Sequence, residues 1–150
     1  MKREPYFKAI YSKPMDIIKC TTDDVKELAV LNRQLIEDEK SDNPMSLDEL
    51  EERMLGFISG DYDAFFFKED GVTVGYALVR RASVPPYLRQ FFIAREYRRR
   101  HFGKRAFEKL MERLGTNSVM IDVLPWNERG LMFWKSLGFR ETCISMKYEA

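Results

Sequence analysis

Apolar residues along the chain switch between helical and strand-like spacing. Met15–Cys20 is a short apolar run with the character of a strand, and Thr21-Thr22-Asp23-Asp24 after it offers helix N-caps. Val25, Leu28, Ala29, Asn32, Leu35 and Ile36 then recur at the 3.6-residue period, which predicts a helix to about Glu39. Ser41-Asp42-Asn43-Pro44 breaks that pattern. Ser46 and Glu49 form a capping-box pair ahead of Leu47, Leu50, Met54 and Ile58, a second helix. Asp63–Lys68 and Val72–Arg80 read as strands joined by the hairpin signal Asp70-Gly71, and Tyr87–Ile93 as another. A helix from Gly103 to Leu114 stops at Gly115. Val119–Leu124 reads as a strand buried on both faces. Asn127 caps a short helix carrying Leu131, Trp134 and Leu137, which ends at Gly138. Phe139–Tyr148 is expected as the last strand. Residues 1–14 show no clear period and are expected as an N-terminal extension or edge strand. The order predicts a single α/β domain over residues 15–150, with a mixed central sheet flanked by helices.

Composition narrows the class. The 150 residues are 45% apolar and 33% charged, which suits one soluble globular domain. No apolar run approaches the roughly 20 residues of a membrane span, and Met1–Pro5 lacks a signal-like stretch. Cys20 and Cys143 have no metal-ligand spacing and His101 is the one histidine, so no metal is expected. A cytoplasmic protein with reduced thiols is the expectation. Charge is uneven. Asp16 to Asp70 holds 16 acidic and 6 basic residues, whereas Gly71 to Gly115 holds 11 basic and 3 acidic. Either two surfaces serve different partners, or two solvated faces simply differ.

The basic half contains a candidate anion site. The strand ending at Ile93 runs through Ala94-Arg95-Glu96-Tyr97 into Arg98-Arg99-Arg100-His101-Phe102-Gly103-Lys104, where a helix begins. Helix-start amides, the helix dipole and nearby arginines favour phosphate at such a turn, and glycine admits close approach.

These residues carry a resemblance. Arg98-x-x-His101-x-Gly103 resembles the acyl-CoA loop of the GCN5-related N-acetyltransferases (GNAT), Arg/Gln-x-x-Gly-x-Gly/Ala. Asn127-x-x-Gly130-x-x-Phe133-Trp134-x-x-x-Gly138-Phe139 is similar to that family's Asn-x-x-Ala-x-x-Leu-Tyr-x-x-x-Gly-Phe segment. Asp70–Tyr76 matches its hairpin, and the element order agrees from about Met15 onward. The resemblance implies an N-acetyltransferase domain over 15–150 that moves an acetyl group from acetyl-CoA directly to an amine. It places the pyrophosphate on the backbone amides from Arg98 through Arg99, Arg100, His101, Phe102 and Gly103, with Lys104 beside them. Pantetheine would pair with Phe91, Phe92 and Ile93, where two parallel strands splay apart, and Asn127 would reach the pantetheine arm. Relatives often pair through their C-terminal strands, so a homodimer is an open expectation.

Two positions depart from the pattern. His101 replaces the usual glycine, and Trp134 stands where many relatives have the tyrosine that protonates the leaving thiolate. An indole N–H donates a hydrogen bond, not a proton. A base is also needed, because an alkylamine is protonated at pH 7 and must lose a proton to attack. Asp122, a charge inside an apolar strand five residues before Asn127, is the candidate base or water-positioner, against a structural carboxylate. Tyr87, Tyr97 and Tyr148 are candidate proton donors. Acidic residues of the first two helices and their connection (Glu37, Asp38, Glu39, Asp42, Asp48, Glu49, Glu51 and Glu52) would favour a cationic acceptor, unless they are merely solvated helix surface. A catalytically degenerate acyl-CoA-binding module is the competing reading. Nucleic acid and membrane are not expected partners, since the basic residues cluster at one phosphate-sized turn without interleaved aromatics.

Overall fold

A computed structural model describes residues 15–98 and 101–150. The arm or edge strand expected over residues 1–14, and Arg99 and Arg100 of the basic turn, lie outside the described residues. Strand β1 (Asp16–Lys19) leads through a capped 3-10 turn into helix α1 (Val25–Asp38) and then α2 (Leu47–Ser59). Three strands follow: β2 (Tyr62–Glu69), β3 (Val72–Arg80) and β4 (Tyr87–Ile93). Helix α3 (Phe102–Leu114) and helix α4 (Glu128–Ser136) complete the set.

Local chemistry sets the boundaries. The capping box at Ser46 forms as the sequence predicts, with Ser46 Oγ accepting from Glu49 N and Glu49 accepting from Ser46 N. The β2–β3 turn places Asp70 and Gly71 both at positive φ, the geometry that suits the right-handed strand twist.

The four strands pair antiparallel in the order β1-β2-β3-β4. Because successive side chains face opposite ways, the phenylalanine run of β2 serves two cores. Phe65 and Phe67 join Val79, Leu88, Ala106 and Leu110 beneath α3. Phe66 and Ala64 join Leu28, Leu35, Met54 and Tyr76 beneath α1 and α2. Burying each such ring contributes about 1.5–3 kcal/mol.

Strand β4 carries a bulge. Leu78 faces Gln90 while Val79 faces Leu88, so Arg89 is an extra residue that bends the strand. This bend explains where the expected mixed sheet stops. The 119–124 segment meets β4 in parallel at Tyr87 and Met120 alone, with Leu88 N donating to Met120 O at 2.8 Å and Met120 N to Pro86 O at 2.9 Å. Past the bulge the two backbones diverge, and Val119–Leu124 is not a full strand. Nor is it buried on both faces: Val119 and Ile121 pack on the α3-side core, but Met120 and Asp122 are exposed. Phe139–Tyr148, expected as the last strand, is also not a strand. Ile144, Met146 and Tyr148 are exposed, and Phe139 packs on the Trp134 and Phe107 rings.

Candidate active site

Divergence past the bulge leaves the outer edge of β4 open. Ala94 N donates to Val74 O, so by strand alternation Phe92 also faces β3 while the backbone groups of Phe91 and Ile93 point away from it. A cleft of about 1100 Å³ opens there, between β4, the end of α1, the start of α3 and α4. Phe91, Ile93, Arg98, His101, Phe102, Gly103, Lys104 and Asn127 all line it. Phe92 does not; it is buried in the core under α1.

The turn entering α3 is held from two sides. Arg98 donates from Nε to Ile93 O at 2.9 Å and from Nη2 to Asp38, and its guanidinium lies over the Phe92 ring. Arg95 donates to the other Asp38 oxygen. Burial alone would raise the Asp38 pKa, but hydrogen bonds from Arg95 and Arg98 outweigh it and hold the carboxyl below its ordinary value. Arg98 thus braces the turn with its side chain. His101 takes left-handed backbone angles, φ 59° and ψ 16°, and caps α3 without a side-chain hydrogen bond. Among the described residues no side chain caps the first-turn amides of Phe102, Gly103 and Lys104, and amides at a helix start suit an anion.

Gly103 has a packing reason as well. A Cβ there would come within 2.9 Å of Phe133 Cε1, so the glycine lets α4 approach α3. Asn127 caps α4, accepting from Gly130 N at 3.0 Å. Trp134 belongs to an aromatic cluster with Phe91, Phe107, Phe133 and Phe139, ring centroids 4.9–5.7 Å from its own.

Asp122 is not among the cleft-lining residues. Its Oδ2 accepts at 2.8 Å from the hydroxyl of Tyr87, which precedes the bulge. Burial and that carboxylate push the Tyr87 pKa up to about 12. Glu39, which the sequence groups with the acidic wall, and Trp126, to which it assigns no role, also line the cleft. Glu39 is half-buried, and burial followed by the Asp38 charge raises its pKa. Trp126 donates from Nε1 to Glu39 O at 2.9 Å. Their cleft position follows from the α1 end meeting the loop before α4, a contact across 87 positions that no local pattern encodes.

An antiparallel sheet opening beside a helix start is the architecture of known acetyltransferases. Aminoglycoside N-acetyltransferase AAC(6')-Iy, solved with CoA, superposes with a TM-score of 0.68 at 21% identity, over 91% of this chain and 94% of that one. Ribosomal-protein-alanine N-acetyltransferase from Brucella melitensis biovar Abortus 2308 gives 0.70 at 15% identity, over 91% and 99%. A predicted acetyltransferase from Clostridium acetobutylicum, solved with acetyl-CoA, gives 0.68 at 11%, over 90% and 96%. At these identities the likeness shows the fold. The sequence model of the acetyltransferase (GNAT) family matches residues 25–139. The chain belongs to that family. No curated protein matches it.

Proposed function

We propose that the protein transfers an acetyl group from acetyl-CoA directly to a primary amine. One observation carries this reading: a single cleft joins the outward backbone groups of Phe91 and Ile93 to the uncapped amides at the start of α3. The first suits an extended amide chain such as pantetheine, and the second suits a pyrophosphate. Gly103, Phe102 and Lys104 would hold the phosphates through their N–H groups, Arg98 would keep the turn in shape, and Asn127 would approach the pantetheine arm while capping α4.

In the transfer, the amine nitrogen attacks the thioester carbonyl carbon, the C–S bond breaks, and the amine proton passes to a base. Asp122 is the proposed base or water-positioner, oriented by the Tyr87 hydroxyl. Trp134, packed among aromatic rings, supplies no proton to the departing thiolate, which is released to solvent protonation. Glu37 and Glu39 at the cleft favour a cationic amine; Asp38 is neutralised by its arginines.

The reading is tested by thiol release from acetyl-CoA across an amine panel, together with a thermal-shift titration. Saturable stabilisation by about 2.7 kcal/mol at 100 times the dissociation constant is expected. Turnover that Asp122→Asn lowers about 100-fold, with the acetyl-CoA KM unchanged, supports the assignment. Binding without turnover on any amine would instead mark an acyl-CoA-binding module.

A further inference from the structure

Two arginines packed on one ring, Phe57, have no carboxylate partner among the described residues. Arg80, Arg81, Arg95, Arg98 and Arg105 each pair with an Asp or Glu. Arg53 of α2 and Arg89 of β4 have no such partner among the described residues, although α2 itself carries Asp48, Glu49, Glu51 and Glu52. Both guanidiniums lie against one ring, Phe57, with Cζ atoms 5.5 and 4.8 Å from its centroid, and Arg89 also stands 5.9 Å from the Tyr62 ring centre. Arg53 donates from Nη2 to Asn32 Oδ1 at 3.2 Å, while its buried Nε has no partner.

That arrangement holds two like charges together with a buried donor unsatisfied. Burial, then the Arg89 charge, lowers the Arg53 pKa. Cation–π contact offsets part of this cost, but it neutralises neither charge. An anion on the outward N–H groups of the pair would offset the repulsion that the rings leave.

The location is informative. Arg89 is the bulge residue, and a bulge re-aims its side chain next to a site. Its charge reaches Tyr87, the residue bonded to Asp122. Arg53 and Glu39 both act on the buried Tyr76 hydroxyl, which donates to Gln90 at 2.8 Å. Arg89 thus lies on β4 between Tyr87, which bonds the proposed base, and Phe91, which lines the cleft.

We propose that Arg53 and Arg89 together bind an anionic group, carboxylate or phosphate, carried by the acceptor, which makes the substrate an acidic or zwitterionic amine. This rests on the acetyl-transfer reading and specifies the substrate class of that site. The acidic wall and the arginine pair then act on two ends of one molecule, the first on its ammonium and the second on its anion.

Matched amines test the proposal: propylamine against β-alanine, and ethanolamine against phosphoethanolamine, each read as kcat/KM by thiol release. A preference of about 10-fold or more for the anionic member is expected, the magnitude of a hydrogen bond to a charged group. The pair showing the larger ratio tells carboxylate from phosphate. Arg89→Gln should bring that ratio close to one, and Arg89→Lys should retain part of it. Arg53→Gln, a half-buried change, is read in protein whose melting transition is still cooperative. Equal or better use of uncharged amines, or a ratio that Arg89→Gln leaves intact, overturns the proposal while acetyl transfer stands. If no amine turns over, succinate and inorganic phosphate are titrated into the CoA-saturated protein by NMR. Saturable binding lost in Arg89→Gln supports the anion site even then; absence of binding at tens of millimolar overturns it.

Discussion

The Nε of Arg98 donates to the backbone carbonyl of Ile93, 2.9 Å away. This bond takes up the last outward carbonyl of β4, so strand-like pairing with a ligand ends at the Ile93 amide. The same guanidinium reaches Asp38 at the end of α1. One side chain therefore ties together the strand, the turn and the helix on the opposite wall of the cleft.

Asp38→Asn should loosen that wall. Removing the shared anion leaves two guanidiniums without their carboxylate, and a loss of about 1–3 kcal/mol is expected in urea denaturation. Acetyl-CoA affinity should fall with it, read by calorimetry. The Asp38 pKa is depressed in the fold, so its contribution is present above the ordinary carboxyl value of 3.8 and is lost as pH falls below it. The variant should show a shallower acid limb than the parent.

Gly103→Ala puts a methyl group into the Phe133 ring. Overpacking of this kind destabilises by roughly 1–3 kcal/mol, against at most about 1 kcal/mol regained from alanine's helix propensity. Combining it with Phe133→Leu should restore most of the loss. Additive losses in that double-mutant cycle would contradict the contact.

His101→Gly should stabilise the protein by about 0.5–1 kcal/mol, because the left-handed conformation is strained for a residue with a Cβ. His101→Val should destabilise it. If the helix-start amides do the binding, as proposed, acetyl-CoA affinity in His101→Gly should stay within about 3-fold of the parent; a larger drop would give the imidazole itself a role.

The two thiols should react at very different rates. Cys143 is exposed, whereas burial, then Asp24, pushes the buried Cys20 pKa up to about 12. A thiol reagent at pH 8 should modify one cysteine per native chain and two after denaturation. A folded pKa above the ordinary 9.0 also means that stability holds below pH 9 and declines toward pH 12, as the unfolded chain releases its proton first. Cys20→Ala should flatten that alkaline decline.

Local patterns in the sequence predict most of the frame. The Ser46 capping box, the Asp70-Gly71 turn and the strand through Phe65, Phe66 and Phe67 each depend on neighbours a few residues apart, and each forms as expected. The helix-start turn is legible for the same reason. The bulge is not, because Arg89 differs from a regular strand residue only through its register against β3. Without it, Val119–Leu124 reads as a paired strand and Phe139–Tyr148 as its neighbour. The bonds from Asp38 to Arg95 and Arg98 span 57 and 60 positions, and the sequence groups that aspartate with an acidic wall that it leaves once paired.

Trp126 and Trp134 are the only two tryptophans in the chain, and both line the cleft. Trp126 is anchored to the end of α1 and Trp134 to the ring cluster behind β4. The tryptophan emission of the whole protein therefore comes from the walls of one site, and its colour and intensity give a label-free optical record of whatever enters.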